Sequence, residues 1–284
     1  MKISITPGQR KQVLRFVEDA TEKALEEVGL DNPGAQRVIE RGDEFQSRVI
    51  TVIRELSVSN QFANEEVESS CEYPAGYKRK DFCLQSNLLR QLFPGVGFHD
   101  EKELDRPLPE GAEGPFAVPR WEKIAPTYGE AVEKVFAMIA SKRKFRNYRE
   151  SQLGPQYLRQ TGHSKRFWKQ IGEEQKDHDI LVVPCQFGLR HKGRSVRRAC
   201  EVMSANEFGL GAFAVGVMLL THPERLARYE DLWIDCAGDE YSFSAGSQFD
   251  YAPIFSFVGG LVRFGAYWRG GAGGYRGSAS GFLQ

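Results

Sequence analysis

The stretch Asp179–Leu220 reads DILVVPCQFGLRHKGRSVRRACEVMSANEFGLGAFAVGVMLL, and its reading decides the fold. The β-branched run Ile180 to Val183 predicts a strand that stops at Pro184. A polar, basic loop follows, and Ser195 opens a helical stretch as its N-cap. Phe208 to Leu220 is the most apolar run of the chain. Its 13 residues fall short of the roughly 20 that span a membrane, so it predicts a buried core helix. Phe213, Val217 and Leu220 belong to the core on this reading. Gly209, Gly211 and Gly216 predict close helix packing, and a break near Asn206 divides the helical stretch in two. Strand, basic loop and helix in that order gather backbone N–H groups and positive charge at a helix start, which favours an anion.

Outward from this stretch, the N-terminal part is helical. Thr6-Pro7 is a helix start and Gly29 a stop, with Val13, Val17, Ala20, Ala24 and Val28 on one face. Asn32-Pro33 repeats the start signal, and Val38, Phe45, Val49, Val52 and Leu56 mark a second stripe that Gly42 interrupts. Residues 1–58 thus read as a helical hairpin. Residues 59–126 read as a loop-rich connection, punctuated by Pro and Gly, with one short helix near Asp81 to Phe93. Residues 127–284 read as an α+β core domain. Thr127-x-x-Glu130 opens a helix that runs into the basic stretch 141–149. Leu232 to Cys236 reads as a strand, and Gly259-Gly260 as the turn of a β-hairpin. The glycine-rich tail from Trp268 carries one Arg-Gly-Gly and reads as a flexible terminus, with an RNA-binding role as the alternative.

Net charge is zero, yet it is unevenly placed. Lys142 to Arg198 holds 15 Lys/Arg against 5 Asp/Glu, while the flanks carry 23 against 33. Either the segment pairs with its acidic flanks inside the fold, or it is an electrostatic footprint for a polyanion. The nucleic-acid reading rests on Lys142, Arg143, Lys144 and Arg146, and on Lys165, Arg166 and Trp168, where cations interleave with aromatics. The anion reading of the central loop rests on Arg190, Lys192, Arg194, Ser195, Arg197 and Arg198. Arg197 and Arg198 sit at the second and third helical positions, where cations oppose the helix dipole unless an anion or an internal carboxylate faces them. Asp235, Asp239 and Glu240 are the internal carboxylates this reading nominates. Five cysteines, an odd number with no CxxC, give neither a disulfide framework nor a zinc ribbon. The N-terminus lacks a signal-peptide core, so the expectation is a soluble, cytoplasmic protein with reduced thiols and no membrane partner.

Gly188 to Ser195 also resembles the P-loop spacing G-x-x-x-x-G-K-[ST], with Arg194 in place of the lysine. On that alternative the protein is a phosphate-ester hydrolase or a nucleotide-binding enzyme, Ser195 holds Mg²⁺, and Asp235 is the acidic partner. A second enzymatic alternative places Asp235 and Asp239, with His222 upstream, in an acidic metal site. Cys185 with His191 is a third pair, and a small buried thiol is its plainer reading. Finally, Gln186 to Arg198 followed by Asn206 to Gly216 resembles stretches of uncharacterised bacterial proteins with no assigned activity. That resemblance covers the C-terminal half and implies no catalytic residue.

Overall fold

The computed structural model describes residues 6–56 and 61–284, which fall into two compact units, Met1–Val58 and Ser59–Gln284. The first unit is helical: α1 (Pro7–Val28), α2 (Asn32–Glu40) and α3 (Gly42–Leu56). Thr6 caps α1 through a full capping box with Gln9, and Gly29 ends it in the left-handed conformation. Asp31, one residue before the Asn32 start signal, caps α2 by accepting from the Gly34 N–H at 2.7 Å. The second apolar stripe is carried by two helices, because the backbone leaves helical geometry at Arg41, just before Gly42.

The second unit is α+β. Its helices are α4 (Phe82–Leu92), α5 (Tyr128–Lys142), α6 (Gly162–Glu174), α7 (Val196–Val202) and α8 (Ala212–Thr221). Residues 59–126 are part of this unit and supply α4 and β1 (Gly114–Pro119). One sheet has the order β1, β4 (Ile180–Gln186), β11 (Ser280–Phe282), β5 (Glu207–Gly209), all antiparallel. The other is built on the hairpin β8 (Tyr251–Val258) and β9 (Leu261–Trp268). Gly259 and Gly260 form its turn, both at positive φ, as a two-residue loop requires. Along its other edge β8 meets β6 (Trp233–Asp235) and β7 (Asp239–Tyr241). Three short strands complete that sheet: β10 (Arg276–Ser278) on β6, β3 (Leu158–Gln160) on β7, and β2 (Phe145–Asn147) on β9.

Helix α8 is buried on every side, which suits a segment apolar all round; Phe213, Val217 and Leu220 are each at most 5% exposed. It packs against α5 and abuts β1, and Gly216 lets the Val135 side chain approach. The break in the helical stretch after Ser195 holds strand β5 between α7 and α8.

Three local expectations are corrected. Strand β4 does not stop at Pro184 but runs to Gln186, with Pro184 facing Pro115 across the ladder. Strand β11 pairs only with Gln186 and Cys185, so no partner there needs a proline N–H. The chain leaves α5 at Arg143 and turns into β2 instead of staying helical through the basic stretch. The glycine-rich tail is not a loose end. Its residues 276–278 join one sheet and 280–282 the other, with Ala279 as the step between them. Small residues are what this slot admits: a Cβ on Gly281 would lie 2.8 Å from the Phe208 ring and 3.1 Å from Leu210. Gly281→Val should therefore overpack the sheet and cost roughly 1–3 kcal/mol in urea denaturation, with Gly281→Ala intermediate. An unchanged midpoint for the valine variant would remove β11 from the interior.

Candidate functional site

The central basic loop is held by carboxylates of this same chain. Arg197 pairs with Glu65, Arg198 with Glu66 and Glu201, Arg194 with Glu66, Lys192 with Glu72, and Arg190 with Glu207. Ser195 caps α7 and donates its Oγ–H to Glu65 at 2.6 Å. Backbone fills the loop as well: a Cβ on Gly188 would lie 2.8 Å from the Gly277 carbonyl, and one on Gly193 would collide with the Val67 carbonyl. The internal partners come from the strap 65–72 and from Glu201 and Glu207, not from Asp235, Asp239 and Glu240. The sequence signal for them is the acidic run Glu65-Glu66-Val67-Glu68, far upstream of the loop it serves.

Glu207 is the most enclosed of these carboxylates. It accepts from His191 Nε2 at 2.7 Å, Ser280 Oγ at 2.6 Å and Arg190 Nε at 3.2 Å. Burial alone would push its carboxyl up; the His191 and Ser280 hydrogen bonds and the Arg190 charge bring it down to about 2. His191 therefore serves Glu207, while the Cys185 thiol is turned to the Val183 carbonyl and pushed well up by burial.

The three acidic or basic candidates for catalysis each have partners of their own and share none. Asp235 pairs with Arg276 at 3.5 Å, and burial pushes its carboxyl up to about 6. His222 accepts from the Lys80 N–H and contacts Thr221 Oγ1, and burial pushes it down to about 4. Asp239 accepts from the Ala212 N–H at 2.7 Å and from the Tyr128 hydroxyl at 2.8 Å, capping α8. Burial raises Asp239 to about 7, and those two hydrogen bonds oppose the rise. Glu240 binds Arg159 and Arg269. Among the described residues no group of three His, Cys, Asp or Glu side chains is arranged to hold a metal ion.

The structure forms instead a pocket of about 380 Å³ that the sequence hid. Its walls come from the end of β1, the turn at Trp121, and the N-terminal ends of α5 and α8, with α6 along one side. Trp121 stands edge-to-face on Tyr128 at 6.0 Å, and Tyr128 meets Phe213 at 6.4 Å. Trp168 lines the pocket from α6, braced edge-on by Phe208 at 5.4 Å. Gln160, Lys165, Lys169, Glu122 and Glu173 supply the polar lining. Arg120 also lines it, but its guanidinium is spent on the His178, Gly172 and Gln175 carbonyls, each at 2.7 Å, tying α6 to β1. Gly211 forms part of the floor, where a Cβ would collide with Asp239 and meet the Tyr128 hydroxyl.

Of the residues the sequence nominated, the pocket gathers Trp168 and Lys165; Arg166 is exposed on the same helix. Lys142, Lys144 and Arg146 lie on exposed surface at the end of α5 and on β2, without an ion-pair partner among the described residues. Arg143 donates to the Pro223 and Leu226 carbonyls. Trp121, Tyr128, Gln160 and Phe213 are brought to the site only by the tertiary fold; helical periodicity marks Tyr128 and Phe213 as buried, and no local pattern marks any of the four for a pocket. No helix of the described residues is long and apolar enough to cross a membrane. No family model matches the chain, and no curated protein or solved structure does so either.

Two titrations follow with opposite signs. Asp239 has a raised folded value, so its contribution to stability is full in acid and is lost as pH rises through about 7. Asp239→Asn should flatten the melting temperature between about pH 4 and pH 7; an unchanged slope would detach Asp239 from that titration. Glu207 has a lowered value, so its contribution is full above its ordinary range and fades as pH falls toward 2. Glu207→Gln, measured by denaturant unfolding at neutral pH, should cost roughly 3–5 kcal/mol by leaving Arg190 without its counter-charge and His191 without its carboxylate partner.

Proposed function

We propose that the protein binds single-stranded nucleic acid, seating one base in the Trp121–Trp168 pocket. The observation that carries this reading is the pocket itself: aromatic walls of base size beside a helix with uncompensated cations. Lys165 and Arg166 are exposed and form no ion pair among the described residues, whereas Lys169 pairs with Glu173 at 3.6 Å. Aromatic faces accept any base by stacking, and nearby lysine and arginine contact the phosphate backbone. Gln160, Glu122 and Glu173 offer hydrogen bonds to a base edge. Lys142, Lys144 and Arg146 extend the cationic surface, while the cations of the central loop are occupied with internal carboxylates and are not assigned to the ligand.

The test is a tryptophan-fluorescence titration with short oligodeoxythymidine and oligouridine across a salt series. Binding should quench Trp121 and Trp168, with log K falling linearly in log salt. Trp168→Ala should weaken binding about tenfold or more, the worth of one stacked base. Lys165→Gln with Arg166→Gln should reduce the salt slope by about one to two. No binding at low salt, or full binding by the Trp168→Ala variant, would end this reading.

A further inference from the structure

The segment Arg269–Gly274, Arg-Gly-Gly-Ala-Gly-Gly, lies against a polar floor that the base pocket does not use. Strands β6 and β10 run parallel, with Trp233 beside Arg276 and Asp235 beside Ser278. Side chains two apart on a strand share a face, so these four lie on one face while Ile234 turns into the core. Asp235, Arg276 and Ser278 are each no more than 1% exposed. Arg276 reaches Asp235 only at 3.5 Å, through Nη1, and its guanidinium lies over the Tyr267 ring at 4.5 Å.

What remains on this face is unsatisfied. Arg276 Nε and Nη2, Ser278 Oγ, Trp233 Nε1 and Asp235 Oδ2 are all buried and make no hydrogen bond among the described residues. Native interiors leave only a few such groups per hundred residues, and here five atoms gather on neighbouring strands. The Arg276 edge that carries Nε and Nη2 faces the glycine loop: a Cβ on Gly273 would lie 3.2 Å from Nε, and one on Gly271 3.1 Å from Nη2. Glycine at both places lets the loop lie close over the fork, where any side chain would crowd it. Ala272 is the sole residue with a side chain between Arg269 and Tyr275, so lifting the loop unpacks no large side chain and breaks the Ser69 Oγ hydrogen bond to the Gly274 carbonyl.

The unmatched groups define their complement. Two adjacent N–H groups of an arginine fork ask for two oxygens of one anion. The hydroxyl and the indole N–H add donors. Asp235 Oδ2 asks for the reverse, a hydrogen. A carboxylate or a sulfate supplies oxygens and no hydrogen. A phosphate that keeps one proton supplies both. We propose that this face binds a protonated phosphate, free or as a terminal phosphomonoester, with two oxygens on the Arg276 fork and its P–OH donating to Asp235. Ser278 and Trp233 hydrogen-bond the one oxygen that remains, the ester oxygen in a monoester, and the glycine loop closes over the group.

Sulfate is the discriminating control, because it matches phosphate in shape and lacks the hydrogen at neutral pH. The melting temperature of the full chain is followed in inorganic phosphate and in sulfate at matched ionic strength. Both salts stabilise proteins by exclusion from the surface, so the difference between them reads the site. Phosphate should give an additional, saturable rise that sulfate does not. Asp235→Asn, which offers a donor in place of the acceptor, should let sulfate equal phosphate. Ser278→Ala should weaken the phosphate effect about tenfold. Competition by glycerol phosphate would assign the site to monoesters, and its failure to free phosphate. Superimposed phosphate and sulfate curves in the native protein would overturn the proposal and leave ordered water as the occupant, and that comparison needs no variant to fold. A phosphate effect unchanged in both variants would overturn it as well.

Discussion

Glu207 holds a negative charge where no water reaches it, and the second unit is arranged so that this charge is met. Taking a carboxylate out of water costs several kcal/mol unless hydrogen bonds and an opposite charge replace the solvent. The partners come from parts of the chain far apart in sequence: His191 and Arg190 from the loop after β4, and Ser280 from β11, which the ladder already sets beside β4 and β5. Ser280 also accepts from Gln186 on β4, whose carboxamide oxygen in turn takes the Gly188 N–H at 2.6 Å. The central basic loop is thus given its shape from beneath, by one ion and a relay of hydrogen bonds, before any surface charge is considered.

The same principle explains why the basic segment yields less external charge than its composition implies. Six of its cations are paired with carboxylates outside the segment: Arg159, Arg190, Lys192, Arg194, Arg197 and Arg198. The cations at the start of α7 oppose its dipole, and Glu65 answers them by accepting from both Ser195 and Arg197. Charge on α6 and around β2 is left to the solvent. The surface that remains for a polyanion is therefore shifted away from the loop that looks most basic in the sequence and toward the pocket beside α6.

Features decided by neighbours in the chain were legible. Thr6-Pro7 announces its helix by an N-cap and a proline, Thr127 by a capping box, Asp81 stands where α4 begins, and Gly259-Gly260 announces its hairpin. The α+β class follows from the order of those signals. Features decided by distant residues were not legible. The tail looks unstructured because glycine and serine have low strand propensity, yet the slot between β4 and β5 selects them for size. The carboxylates that bind Arg194 and Arg197 lie about 130 residues upstream, where nothing local distinguishes them from a solvated acidic run. Trp121 carries no pattern of its own, and the apolar run of Phe213 marks it only for the core; their role at the pocket exists once β1, α5 and α8 are packed.

The sheet containing β11 has a kinetic consequence. Its four strands are drawn from residues 114–119, 180–186, 207–209 and 280–282, so each pairing with β4 or β11 closes a long loop. The entropy of closing such loops is lost before the contacts return it, and chains with this architecture fold slowly. The β8–β9 hairpin needs only its two-glycine turn and can form on the microsecond scale. Until β11 arrives, β4 and β5 keep open edges of unpaired N–H and C=O groups, the surfaces through which chains join one another. The molecule is most exposed to aggregation in that interval, after its hairpin has formed and before the slot is filled.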